Sequence, residues 1–477
     1  MKKWISLLTA LALPLSFCAC GVAEGSSAAT AAAPPALLQA GYGKVDITPT
    51  EPVPLTADGN VLHSGVLDLL YATCLYFVDE NGTELYLVAL DQCNMYPPLP
   101  EIRAELAVKL GISDQQIMFS ASHTHSAVKL RATNELSTLR YISALRQSLE
   151  ELVLSAKADA KPVTGMYHAA TETEGLNFVR RYIMNDGSFA GDNYGSAASG
   201  YAAHESEGDR TLQLLKLTRE GGKDIILTNF QTHPHRAAYD VKGNANISSD
   251  IVGVYRAELE QLLDCHAMYY TGASGNVNPT SKIAEENIHK DHREHGKAMA
   301  AFAVEAAKDF QPLEFGTIQL KKTLYVGDCY HSEDYKLPEA KIVAERFNSG
   351  MGKTASLEGY EELFEHPRHA IAIVSRVSQP ETLEVPLYSF SIGDFAACFA
   401  PFELFAELGV QLKAASPFAA TFVCCLSNDI YSYMPTKEAF ANGGYGPYKC
   451  NFEPGTGEKL VEAFTNQLTT LHESQGE

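Results

Sequence analysis

The sequence predicts an α/β domain, on three observations. Apolar runs of strand length alternate with amphipathic stretches of helical period along most of the 477 residues. Hydrophobic residues make up 45% and charged residues 20%, the balance of a globular chain with a large core. No period of 20 to 50 residues repeats, which disfavours a solenoid or propeller. The expected architecture is one large domain over residues 39–477, with mixed β-sheets, flanking helices and a site at the carboxyl ends of the strands.

Taken in order, Lys2-Lys3, the apolar stretch Trp4 to Phe17 and Cys18-Ala19-Cys20-Gly21 read as an export signal over residues 1–20. Cys20, between Ala19 and Gly21, resembles the lipidated cysteine of a bacterial lipoprotein; simple secretion is the alternative. Residues 21–38 are small and Ala/Ser/Pro-rich, as in a flexible tether. That reading puts the body of the protein on the outer face of the cell membrane, held by its amino-terminal lipid. Strands are expected at 70–78, 84–91, 115–122, 211–218, 224–230, 267–272, 389–400 and 420–427. Helices are expected at 101–110, 138–156, 249–263, 292–310, 401–415 and 455–468. The charge-rich segment 330–368 reads as a helical insertion or loop that could serve as a lid or rim.

Thirty-seven basic against 58 acidic residues give a net charge of -21, which repels nucleic acid phosphates and anionic lipid headgroups. Cys74, Cys93, Cys265, Cys329, Cys398, Cys424, Cys425 and Cys450 form no CxxC pair, and several sit inside apolar runs. They read as small buried residues, with a bridge from Cys424 or Cys425 to Cys450 as the alternative. Nothing in the sequence specifies an oligomeric state.

The strongest chemical signal is a pair of His-x-His motifs at strand ends, His123-Thr-His125 and His233-Pro-His235. Strand geometry puts residues i and i+2 on one face, so each pair can aim two imidazoles the same way, and neutral imidazole is a common zinc ligand. The alternative is a hydrogen-bonded surface histidine. Asn276, Glu403 and Tyr433 also follow inferred strands. Glu403 reads equally as an acid in the first turn of a helix begun by Pro401, and Tyr431 and Tyr433 as strand tyrosines. Arg180 and Arg181 could hold a substrate oxygen or solvate a loop.

Together these segments resemble the neutral ceramidase family. The resemblance runs through VDITPTEPVPL, SASHTHS, NFQTHPH, GASGNVNP, PFELF and SNDIYSYMPTKEAFANGGY, in that order and over essentially the whole chain after the tether. It is to a catalytic-type domain alone, with no following β-sandwich. It implies a zinc ion held by His123, His233, Glu403 and Tyr433, with His125 beside it or moving protons, and Arg180 or Arg181 on the substrate. One loop departs from the family pattern: where ceramidases resemble GDVSP, with serine as nucleophile, this chain has Gly275-Asn276-Val277-Asn278-Pro279.

The expected function is therefore zinc-dependent hydrolysis of an N-acyl or ceramide-like amide by metal-activated water. His125 or His235 would shuttle protons, Arg180 or Arg181 would stabilise the oxyanion, and Asn276 or Asn278 would donate to the tetrahedral intermediate. Two alternatives stand beside it: a non-catalytic, surface-tethered binding lipoprotein, and an ester or phosphoester hydrolase on the same zinc.

Overall fold

The computed structural model describes residues 37–56, 61–192, 194–237 and 245–476. The export signal, Cys20 and nearly all of the tether lie outside these residues. No helix among the described residues is long and apolar enough to cross a membrane.

One unit is built three times. Each copy is an antiparallel three-stranded meander, a helix, a fourth strand parallel to the third, and a closing helix. The first copy has strands Leu38–Asp46, Tyr71–Asp79, Glu84–Leu90 and Ile117–Ala121, with helices Leu99–Leu110 and Leu136–Ala158. The second has Lys161–Glu172, Thr211–Arg219, Ile225–Phe230 and His266–Thr271, with helices Asp250–Leu263 and His292–Ala306. The third has Ile318–Asp328, Thr382–Ile392, Phe395–Phe399 and Ala420–Cys424, with helices Ala406–Ala415 and Thr456–Glu473. The repeat escapes a search for short periods because more than 120 residues separate the copies, and their insertions differ.

The first two copies join edge to edge, where Gln39 and Ala40 pair with Pro162 and Lys161, into a nine-stranded sheet that includes Gln311–Leu313. The third forms its own four-stranded sheet. These two sheets pack face to face: Leu75, Leu87, Leu217, Leu227 and Met268 share one apolar cluster with Phe390, Phe395, Phe399 and Phe422. Helices cover the outer faces. Strands covered on both sides read as unbroken apolar runs, which explains why they were legible in the sequence. Gly41 shows how closely the first closing helix is seated, since a Cβ there would lie 2.0 Å from the Ala156 carbonyl oxygen.

Three expectations change. The run 389–400 is two strands turned at Gly393-Asp394. The expected helix at 401–415 begins only at Ala406, and Glu403–Leu404 instead forms a short strand parallel to Tyr433–Met434. Leu38–Asp46, Lys161–Glu172 and Ile318–Asp328 are strands without an unbroken apolar signal; the last alternates between covered and exposed. All eight cysteines from Cys74 onward are buried and unbridged, as the reading of small buried residues expects, and the alternative bridge from Cys450 to Cys424 or Cys425 is not formed. The segment after Cys329 contains helices Leu337–Asn348, Lys353–Leu357 and Pro367–Arg376 around a small core of their own.

Candidate metal centre

The three copies present their chemistry at equivalent places, the loops that follow the third and fourth strands. In the first copy these carry Cys93 and the His123/His125 pair. In the second they carry His233/His235 and Asn276/Asn278, and in the third Glu403 and Tyr433. Crevices open where adjacent parallel strands send their connections to opposite sides, so six loops from distant sequence positions meet in one place.

Local backbone geometry aims the side chains. His123 has a φ of 69°, the left-handed region that costs a non-glycine residue about 1 kcal/mol, and its N–H is pinned to the Gln92 carbonyl at 2.9 Å. That turn swings the imidazole inward. Its Nδ1–H donates to the Cys93 carbonyl at 2.6 Å, which leaves Nε2 as a bare lone pair. His233 Nδ1 faces the Ser274 carbonyl at 3.4 Å. Glu403 is held by its N–H to the Ser432 carbonyl at 3.0 Å, and by Gly275, where a Cβ would meet the Glu403 carbonyl oxygen at 2.3 Å.

The convergence is tight. His123 Nε2 and His233 Nε2 are 3.1 Å apart, His125 Nε2 is 3.0 Å from His233 Nε2, and Glu403 Oε2 is 3.6 Å from His123 Nε2. Glu403 Oε2 is buried without a hydrogen-bond partner among the described residues. Burial holds all three imidazoles below the ordinary histidine range, His125 and His233 well below it, so they are neutral at pH 7. With both Nδ1 atoms turned to carbonyls, the Nε2 lone pairs of His123 and His233, 3.1 Å apart beside Glu403 Oε2, repel unless a cation sits between them. The donor set of imidazole and carboxylate fits zinc, and His123, His233 and Glu403 lie close enough together to share one ion.

Tyr433 lies beside this group. Burial, and then the charge of Glu403, raise its phenol well above the ordinary tyrosine value, while Arg180 opposes them. Arg180 donates to Tyr433 Oη at 3.1 Å and to the Gly275 carbonyl at 2.7 Å. Asn278 is held on this side by three neighbours. Its Oδ1 accepts from His235 Nε2 at 3.1 Å and from Arg180 at 3.4 Å, and its Nδ2 donates to Asp192 at 2.9 Å. Burial lowers His235 to about 4, against the bond with Asn278.

Two expected roles are corrected. Arg181 is turned away: its guanidinium pairs with Glu205 and donates to the Gly443 and Ala439 carbonyls, so it braces the fold. Asn276 accepts from the Ala406 N–H at 2.8 Å and donates to both Glu407 oxygens, at 3.0 and 2.9 Å, so both its amide atoms serve the start of helix Ala406–Ala415. Tyr431 points its hydroxyl to the Glu384 carbonyl, 3.1 Å away, and serves as a packing tyrosine. Asp192 and the carbonyls of Cys93, Ser274 and Gly275 support the site without any sequence signal. Tyr445, whose ring packs edge-on at 5.4 Å from Tyr433, lies at the end of the last motif quoted above.

No protein-family model matches this chain, and no curated protein does. Solved ceramidases share its fold. A ceramidase complexed with C2 superposes with a TM-score of 0.65 at 18% identity, covering 92% of this chain and 76% of its own. The neutral ceramidase of Pseudomonas aeruginosa superposes with a TM-score of 0.66 at 17% identity, covering 92% and 75%. The chain has the neutral ceramidase fold, a mixed α/β architecture.

Proposed function

We infer that this protein is an exported, zinc-dependent hydrolase of amide bonds, acting on an N-acyl or ceramide-like compound outside the cell. One observation carries the reading: the Nε2 atoms of His123, His125 and His233 converge at 3.0 to 3.1 Å next to an unpartnered, buried Glu403 oxygen, with Arg180 alongside. His123, His233, Glu403 and Tyr433 would hold the ion, which when bound supplies Lewis acidity toward a carbonyl and toward water.

The chain's own residues do the rest. Arg180, fixed by Gly275 and Tyr433, keeps a permanent cation where negative charge grows on a carbonyl oxygen. His125, less deeply covered than His123 and His233, connects the cluster to the outside and is suited to carry protons. His235 and Asn278 set the position of Arg180, since Asn278 Oδ1 accepts from both. Asn278 cannot act as a nucleophile, so the attacking group is water. Ceramidase-fold neighbours support a lipid-like amide substrate, and Lys2 to Cys20 supports export with a lipid anchor.

The test is metal analysis of the purified domain coupled to parallel hydrolysis screens of acyl amides, esters and phosphoesters. The expected result is about one zinc per chain and amide hydrolysis that is lost on chelation and restored by zinc. Ester or phosphoester turnover without amide turnover would replace the reading. Zinc-loaded protein that binds acyl amides without product would favour a binding lipoprotein, the role suggested by Asn278 at the nucleophile position.

A further inference from the structure

We propose that the mouth of this site recognises an anionic group, a carboxylate or sulfonate carried by the substrate a few bonds from the scissile amide. The proposal rests on the amide-hydrolase reading and narrows its substrate class. Its basis is a group of three cations, Arg131, Arg368 and Lys449, none of which forms an ion pair with a carboxylate among the described residues.

Each is tied to the metal-binding group by a short chain of contacts. Arg131 lies eight residues after His123, with its guanidinium 3.9 Å from the Tyr96 ring centre. Tyr96 is bonded to Asn94 at 3.2 Å, next to the Cys93 carbonyl that holds His123. Arg368 stands near the start of helix Pro367–Arg376, 6.0 Å from the Tyr445 ring, and the buried Arg180 is 5.9 Å from the same ring. Lys449 follows directly, because its carbonyl accepts from Ser432 Oγ at 2.8 Å beside Tyr433. Lys449 is half-buried, and Arg368, Arg376, Glu403 and Arg131 are its charged neighbours.

The contrast with neighbouring cations is specific. On the same helix Arg376 is neutralised by Glu333 at 3.1 Å, and that acid also takes Lys336 and His369. In a chain of net charge -21, acids are abundant, yet among the described residues none forms an ion pair with Arg131, Arg368 or Lys449. Salt damps the overall negative field beyond about 8 Å at physiological ionic strength, so what a substrate meets there depends on the charges close by, these cations among them. A wholly neutral lipid amide would leave them without a partner.

The experiment compares zinc-loaded protein on N-dodecanoylglycine, N-dodecanoyltaurine and N-dodecanoylethanolamine, which share chain and amide and differ in the terminal group. The anionic amides should show kcat/KM about tenfold or more above the ethanolamide, equivalent to about 1.4 kcal/mol. R368Q and K449M should each raise KM for the anionic amides, and lower the preference for them over the ethanolamide about fivefold. Equal turnover of all three amides, or a preference unmoved in both variants, overturns the proposal while leaving the hydrolase reading intact. If no amide is hydrolysed the hydrolase reading fails, and calorimetric affinities for the same three amides then decide. Tighter binding of the anionic pair, lost in R368Q and K449M, supports the proposal, and equal affinities overturn it.

Discussion

On one side of the site, the nitrogens of His123, His125 and His233 face one another and Glu403 Oε2 has no hydrogen-bond partner among the described residues. On the other, Arg180, His235, Asn278 and Asp192 bond to one another, and Asn276 closes onto Glu407 and Ala406. The two sides are built from the same kinds of residue in the same kinds of loop. They differ in how far bonds among the side chains hold them in place. At this site the polar atoms left facing one another mark where a ligand belongs, and the bonded ones frame that place.

Substitutions test this division, and the largest effect belongs to the unsatisfied side. H123A or H233A should reduce zinc from about one ion per chain to less than about a tenth and lower amide hydrolysis by at least about a thousandfold, read by metal analysis and steady-state rates. The adjacent arginines then separate. R180M should cut kcat/KM about a hundredfold through loss of charge at the carbonyl oxygen. R181M should act on stability, by about 3 to 5 kcal/mol in denaturant titrations, because it leaves Glu205 without its partner. Comparable activity losses in both variants, with equal stability, would erase the distinction between them.

The pH dependence of the metal-free protein gives a smaller effect. His235 has a folded value near 4, below its unfolded value of about 6.5, so the unfolded chain takes up the proton first. Its contribution is flat above about pH 6.5 and turns against folding as pH falls to 4, by at most about 3 kcal/mol, readable as a falling Tm and as the His235 imidazole titration by NMR. Smallest is N278S, which removes the acceptor shared by His235 and Arg180 and the donor to Asp192, at a cost of about 1 to 3 kcal/mol. A neutral effect on stability would mean that the paired side does not depend on this residue.

Much of the fold was legible in the sequence, for a reason visible in the layers. The strands of the central sheets are covered on both faces, so Glu84–Leu90, Ile225–Phe230 and Ala420–Cys424 could be read from continuous apolar runs. Ile318–Asp328 could not, because its outer face is solvated and its residues alternate. His123 and His233 were legible because His-x-His at a strand end is an uncommon local pattern. Glu403 was open to a second reading as a helix-start acid, and only its pairing with Tyr433 on a neighbouring strand removes that reading.

The sequence by itself determined which elements form and which residue types reach the strand ends, because periodicity and apolar runs record burial locally. The tertiary structure decided which of those residues face one another. Nothing local distinguishes Arg180 from Arg181, or Asn278 from Asn276; their directions follow from strand register and from loops contributed by different copies of the repeated unit. The threefold repeat was likewise set by backbone pairing, which constrains hydrogen-bond geometry far more than it constrains side-chain identity.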